Sequence, residues 1–206
     1  MHAYFVNLAP ERITAGRELR KLTKTALAEL IGKSASAVSQ FESGKSGLDI
    51  ETFQKILDVL NLPAVYFTSN SSTASVGYDM AHCHFRAKRN VSQLERSQSF
   101  QYADQIISIY NALENQGIQF PKPNVPVFLK QETELGVGPI PDMAALIESV
   151  GIRIILLPSD SSNIDGFSTW VGEQPYIMVV GSSCASRLQF DYAHELAHIL
   201  LHTDNI

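Results

Sequence analysis

Apolar residues in the first third of the chain recur at helical spacing in short segments bounded by residues that begin or end helices. The pattern predicts helices over residues 12–22, 24–31, 35–43 and 50–60. Thr23 and Ser34 are suitable N-caps, and Gly32 and Gly44 are suitable stops. Two short helices separated by about three residues are typical of a helix-turn-helix. The apolar positions expected to point inward are Leu27, Ala28, Leu30, Val38 and Phe41.

The pattern changes after residue 68, where a small, polar stretch over 68–76 indicates a linker. Helical spacing returns over residues 92–116, and three prolines within 121–126 favour an extended joint. The last third predicts a helix over 142–150, a strand over 153–157, a hairpin of 167–171 with 176–180, and a helix over 186–202. We therefore expect a multi-domain protein with an all-α domain at 1–68, a linker and helical connector at 69–125, and an α+β domain with a small antiparallel sheet at 126–206.

Charge is distributed unevenly along these segments. The net charge of −5 comprises +1 over residues 1–68, +1 over 69–125 and −7 over 126–206. The acidic total therefore does not exclude nucleic acid as a partner of the first domain. Two cysteines and no apolar run of membrane-spanning length favour a soluble protein of the cytoplasm.

The segment LTKTALAELIGKSASAVSQFESGKSGLDIETFQKILDVLNL resembles the Cro/CI-type (XRE) DNA-binding family, above all in Leu27, Ala28, Gly32, Val38, Ser39, Glu42 and Gly44. The resemblance implies a five-helix, λ-repressor-like domain whose second motif helix enters the major groove of double-stranded DNA, commonly as a homodimer. It implies that Ser36, Ala37 and Gln40 face base edges and that Ser34 and Lys45 lie near the backbone. Lys24 stands where the family often has Gln, so we expect its contact to be electrostatic. The alternative is a plain helical bundle or a protein-binding module.

A second motif lies in the final predicted helix, FDYAHELAHILLH. His194 and His198 are four residues apart, so both imidazoles leave one face of the helix and can reach one metal ion. Glu195 lies beside them, where a carboxylate can take a proton from a metal-bound water. This His-Glu-x-x-His pattern is the zincin signature, and its alternative is a pair of core histidines. The apolar positions expected to pack this helix into a core are Phe190, Ala193, Leu196, Ala197, Leu200 and Leu201.

From about residue 139 onward the chain resembles the ImmA/IrrE family of zinc-dependent peptidases, most specifically in RLQFDYAHELAHILLH. The resemblance implies that His194 and His198 bind zinc, that Glu195 is the general base, and that one chosen regulatory protein is cleaved. The stretch FRAKRNVSQLERSQ is similar to the connector in fusions of such peptidases to XRE domains.

A catalytic zinc site ordinarily has three protein ligands, and the third is not evident. His202 is eight residues beyond His194, about 12 Å along a helix, so the three histidines cannot close on one ion. Asp191 and Asp204 lie on or just beyond the same helix and meet a similar difficulty. The acidic residues that the sequence leaves open are Glu132, Glu134, Asp142 and Glu148. We expect weak or absent zinc in this chain, as a shortened form of a longer protein whose peptidase domain continues past the HExxH helix.

The cluster His82-Cys83-His84 could hold a metal, but adjacent side chains point in different directions, and a plain connector is the simpler interpretation. Two functions of different class remain. One is a DNA-binding regulator whose peptidase-type domain cleaves a specific regulatory protein in the intact protein and is catalytically incomplete in this chain for lack of a third metal ligand. The other is a non-catalytic regulator or antitoxin-like repressor whose C-terminal domain senses a ligand or protein.

Overall fold

The structure is a computed structural model, and it describes residues 8–68, 84–87, 91–124, 138–158, 164–182 and 184–201, with only the backbone described at 84–87. The chain divides into two compact units. Unit 1 comprises Met1–Ala74 with Ser92–Tyr102, and unit 2 comprises Ser75–Val91 with Ala103–Ile206. No helix within the described residues is long and apolar enough to cross a membrane.

The described residues of unit 1 up to Thr68 form four α-helices and then a short 3-10 helix. They are α1 (Pro10–Leu19), α2 (Lys24–Ile31), α3 (Ala35–Glu42), α4 (Ile50–Leu60) and the 3-10 helix Ala64–Phe67. Side-chain oxygens of Thr23, Ser34 and Asp49 cap α2, α3 and α4 by accepting backbone N–H groups. Gly32 ends α2 with φ of 69°, a left-handed conformation that favours glycine. These helices confirm the all-α prediction for the first domain.

The core of unit 1 contains Leu27, Ala28, Val38 and Phe41, as the helical spacing predicts. The prediction for Leu30 is wrong, because its side chain is 58% exposed. The buried stripe of α2 runs through Leu27, Ala28 and Ile31, and Leu30 falls outside it.

The long helix α5 (Gln93–Asn115) contributes to both units. In unit 1, the Gln98 side-chain amide donates to the Leu19 carbonyl at 2.8 Å. In unit 2, Ala103 and Ile107 are fully buried, whereas the apolar Ile109 is 55% exposed.

In the residues of unit 2 that the structure describes, four strands form one sheet in the order β1-β3-β4-β2. Its strands are β1 (His84–Ala87), β2 (Arg153–Leu157), β3 (Ile164–Val171) and β4 (Gln174–Val180), and its further helices are α6 (Met143–Ser149) and α7 (Ala185–Leu201). The predicted hairpin is present, since β3 and β4 pair antiparallel. Strand β2 instead pairs parallel with β4, so the α+β sheet is mixed rather than wholly antiparallel. Strand β1 was not predicted from the sequence.

Helix α7 packs on this sheet through a face that differs from the predicted one. Tyr192, Leu196 and Ile199 join Ile147 and Val179 in the core of unit 2. Phe190 and Leu201, predicted to point inward, are 59% and 73% exposed, and Ala197 is also exposed. The buried stripe is rotated from the predicted one and includes the polar Asp191 and Glu195.

Candidate functional site

Helix α3 presents a polar face outside the core of unit 1. Val38 and Phe41 anchor the helix, while Ser36, Ser39 and Gln40 are exposed. Residues three and four apart lie on one side of a helix, so these three side chains share a surface. Of the predicted base-facing residues, Ser36 and Gln40 are exposed and Ala37 is half-buried.

The ammonium group of Lys24 is held against this helix. Its Nζ donates to Ser39 Oγ at 3.3 Å and lies 3.4 Å from Glu42 Oε2. Glu42 also accepts from Arg17 Nε at 2.6 Å, and that guanidinium is almost fully buried. Sequence reasoning identified Lys24 but not the Arg17–Glu42 pair that positions it.

The two residues predicted near the DNA backbone lie on either side of α3. Ser34 Oγ accepts from the Ala37 backbone N–H at 3.1 Å, so this hydroxyl caps the helix. Lys45 is exposed just beyond the end of α3, where its backbone N–H donates to the Gln40 carbonyl at 3.0 Å. The structure thus places Ser34 and Lys45 at opposite ends of one short helix.

The imidazoles of His194 and His198 converge on one side of α7. Their Nε2 atoms are 3.1 Å apart, and the ring centroids are separated by 4.8 Å. Two nitrogens on one tetrahedral zinc ion lie about 3.4 Å apart. The two Nε2 atoms are within hydrogen-bond distance of each other, and their separation is close to that of two ligands on one such ion.

Glu195 lies between the two histidines in sequence but is directed into the sheet. It is 1% exposed, and its Oε2 accepts a hydrogen bond from Ser168 Oγ at 2.9 Å. Two residues earlier on β3, Gly166 lies beside the same carboxylate, where an added Cβ would lie at an ordinary contact distance of 3.4 Å from Glu195 Oε1 but only 2.7 Å from the Met178 carbonyl oxygen. Strand β3 thus supplies a donor to this side chain and lies beside it.

Ser168 and Gly166 were not singled out from the sequence. The β-strand alternation places residues 166 and 168 on one face, but only the packing of α7 shows that Glu195 lies against that face. No local sequence signal could have identified this contact.

The structure does not supply a third ligand within its described part. No group of three His, Cys, Asp or Glu side chains there comes close enough to hold a metal ion. Asp142 caps α6 by accepting from the Ala145 N–H at 3.0 Å, and Asp191 pairs with Arg187 at 3.5 Å. The other candidates that lie outside the described residues are Glu132, Glu134, His202 and Asp204. His82 and Cys83 also lie outside them, and His84 begins β1.

Two family models match separate parts of the chain. Residues 13–67 match a model described as helix-turn-helix, and this segment contains most of α1 and all of α2–α4. Residues 147–206 match a peptidase-family model described as IrrE N-terminal-like domain, and this segment contains β2–β4 and α7. No curated protein and no solved structure matches the chain.

The fold and these two matches define a helix-turn-helix protein that also carries a peptidase-family domain. The chain is a fusion of an XRE-type helix-turn-helix domain with an IrrE/ImmA-like domain.

Proposed function

We propose that this chain is a sequence-specific transcriptional regulator that binds double-stranded DNA through α3. The observation that carries the proposal is the exposed polar face of Ser36, Ser39 and Gln40, with the Lys24 ammonium held against it by Glu42. Small polar side chains suit base edges and are a poor surface for an apolar protein partner. A DNA-binding protein of this kind would act in the cytoplasm.

In this proposal Ser36, Ala37 and Gln40 read base edges, and Lys24, Ser34 and Lys45 contact phosphates. A near-neutral domain gains little affinity from phosphate neutralisation, so we infer that two copies bind two half-sites as a homodimer. Ser34 would carry two roles, because its hydroxyl already caps α3.

The experiment is selection of duplexes from a genomic library by the full chain, followed by titration of the selected site. Gln40→Ala should relax base preference at one position in each half-site and weaken specific binding by about 1–3 kcal/mol. Gln54→Ala on α4 is a matched control that should leave the preference unchanged. Failure to enrich any duplex would refute the DNA-binding proposal.

For unit 2 we propose the role of a zinc-dependent endopeptidase domain. In the intact protein this domain would cleave one specific regulatory protein. The peptidase-family match over 147–206 and the convergence of the two Nε2 atoms support it. His194 and His198 would hold the zinc ion, with the third ligand outside the described residues. Zinc bound there would supply an activated water and a Lewis acid for the peptide carbonyl. Glu195 would accept a proton from this water, and the hydroxyl of Ser168 would orient its carboxylate.

A second candidate is a non-catalytic regulator whose C-terminal domain senses a ligand or protein. The full burial of Glu195 in its hydrogen bond with Ser168 favours a structural role for that carboxylate. The two candidates differ in metal content and in cleavage of a partner protein.

The deciding experiment measures zinc per chain by mass spectrometry, and then cleavage of proteins encoded beside the selected DNA site. In the intact protein, the peptidase proposal expects bound zinc that is lost in His194→Ala and His198→Ala, and cleavage that is lost in Glu195→Gln with zinc retained. Cleavage that persists in Glu195→Gln would contradict the assignment of the general base.

A further inference from the structure

Unit 2 contains a cavity of about 230 Å³ to which α7 contributes no lining residue. Its walls come from the C-terminal half of α5, the segment after it, α6 and the start of β2. Tyr110, Phe120, Glu148, Gly151 and Arg153 are among the residues that line it. Small-molecule sites are mostly apolar cavities with a few polar groups of this kind.

Arg153 is the buried cation of this cavity and is only 8% exposed. Its Nη1 donates to the Tyr176 hydroxyl at 2.8 Å, and its Nη2 donates to the Glu114 carboxylate. Its buried Nε has no hydrogen-bond partner in the described part of the chain. A guanidinium has five N–H donors, and because Nε is fully buried, the donors left for a ligand are the second N–H groups of Nη1 and Nη2.

Aromatic rings surround the guanidinium and form the apolar wall. The guanidinium carbon lies 4.8 Å from the ring centroid of Tyr110 and 4.9 Å from that of Phe120. These two rings meet edge to face, with centroids 5.1 Å apart. An aromatic ligand could extend this cluster through further ring contacts.

The wall formed by residues 120–124 is fixed in place by backbone contacts. The Asn124 N–H donates to the Val150 carbonyl at 2.8 Å. Gly151 has φ of +80°, and an added Cβ would collide with the backbone of Lys122 and Pro123. A cavity whose walls are held in this way costs little reorganisation on binding.

The charges that line the cavity have opposite signs. Arg153 is already paired with Glu114, and Glu148 on α6 is exposed and forms no ion pair within the described residues. A simple anion would meet two carboxylates, and a simple cation would meet the guanidinium. A ligand that carries both charges can pair its anionic group with Arg153 and its cationic group with Glu148.

From this arrangement we infer that the cavity binds a small aromatic zwitterion of the amino-acid type. Its carboxylate would accept from the remaining N–H donors of Arg153, and its ammonium would pair with Glu148. Its ring would pack against Tyr110 and Phe120. This inference goes beyond the proposed function and requires neither DNA nor zinc.

The test is isothermal titration calorimetry of the full chain with three probes, namely L-phenylalanine, 3-phenylpropionate, which lacks the ammonium, and phenethylamine, which lacks the carboxylate. L-Phenylalanine should bind most tightly, and amide NMR shifts on binding should centre on Gly151 and Ile152. Glu148→Gln should weaken L-phenylalanine by roughly fivefold, the upper range for an exposed ion pair, and remove its advantage over 3-phenylpropionate.

The matched control is Glu173→Gln, which neutralises an exposed carboxylate in the turn between β3 and β4 and should leave all three affinities unchanged. The inference would be overturned if L-phenylalanine did not bind, or if it bound equally well to the parent chain and to Glu148→Gln. Amide NMR shifts centred elsewhere in the chain would also overturn it. DNA binding and zinc content, measured on the same variants, are expected to stay as in the parent.

Discussion

At the residue scale, the contact between Ser168 and Glu195 joins the central part of the sheet to α7. Both side chains are 1% exposed, and the hydroxyl donates to the carboxylate at 2.9 Å. A buried polar group is stabilising only while it has its partners. This contact therefore matters for stability whether or not Glu195 also acts as a base.

Removal of the hydroxyl in Ser168→Ala should lower the free energy of unfolding by about 1–3 kcal/mol, because the buried carboxylate loses a donor. Urea denaturation followed by circular dichroism measures the change. Ser149→Ala removes an exposed hydroxyl of the same unit and should change stability by less than about 0.5 kcal/mol. Equal effects of the two substitutions would contradict the contact.

A second prediction at this scale concerns Gly166. Gly166→Ala should destabilise unit 2 by about 1–3 kcal/mol, because the new Cβ would lie 2.7 Å from the Met178 carbonyl oxygen, which is backbone and cannot easily move. Gly181→Ala is the control, since nothing lies within 4 Å of its added Cβ. The same denaturation experiment should separate the two variants.

The environment of Tyr192 predicts that the free energy of unfolding depends on pH in the alkaline range. Burial, followed by the negative charges of Glu148 and Asp142, raises the pKa of Tyr192 above its usual value. Above about pH 10 the unfolded chain then releases this proton first, so unfolding becomes easier as the pH rises towards the higher folded-state pKa. Tyr192→Phe should reduce the fall in unfolding free energy over that window and leave its pH slope near neutrality unchanged. A fall as steep as that of the parent would show that Tyr192 does not contribute.

At the element scale, the start of α2 depends on Thr23, whose Oγ1 accepts from the Ala26 N–H at 3.0 Å. Thr23→Ala should destabilise unit 1 by about 1 kcal/mol, because one backbone donor of the first turn loses its acceptor. Thr23→Ser keeps the cap and should stay close to the parent in thermal denaturation. A large loss in Thr23→Ser would instead indicate that the methyl group matters.

The elements themselves were largely predictable from the sequence. Residues 24–31, 50–60 and 153–157 were predicted with the bounds that the structure gives, since caps, glycines and β-branched runs are local signals. The buried stripe of α7 was not predictable in this way, because Phe190, Leu196 and Leu201 are all apolar and the sequence cannot choose among them. The position of the sheet selected Leu196 and left the other two exposed.

The sheet illustrates the same limit across elements. The turn around Gly172 predicted the β3–β4 hairpin, which is a local pairing. The parallel pairing of β2 with β4 and the addition of β1 beside β3 join segments distant in sequence. Turn chemistry carries no information about such partners.

At the scale of the whole molecule, charge separates the two parts of the fusion. A helix-turn-helix part of net charge +1 precedes a C-terminal third of −7. Affinity for DNA should therefore depend on a few individual cations rather than on the total charge.

Substitution of Lys45 tests this expectation. Lys45→Ala should weaken binding to the selected duplex and reduce the slope of log K against log salt by about 1, as expected for one lost phosphate contact. Lys55→Ala removes a lysine that is paired with Glu51 on α4 and should leave the slope unchanged. Equal slopes for the parent and Lys45→Ala would remove Lys45 from the proposed interface.

The sequence by itself determined the helix-turn-helix, the order of the two domains and the closeness of His194 and His198 on one side of a helix, because caps, spacing and the i, i+4 rule act within a few residues of the chain. Tertiary structure alone decided that Glu42 holds Lys24, that Glu195 rests on Ser168, and that Arg153 is enclosed by rings from α5 and β4. Each of these contacts joins residues on different helices or strands that are distant in the sequence. Such pairs form only when helices and strands pack, and packing depends on the whole core rather than on any local pattern.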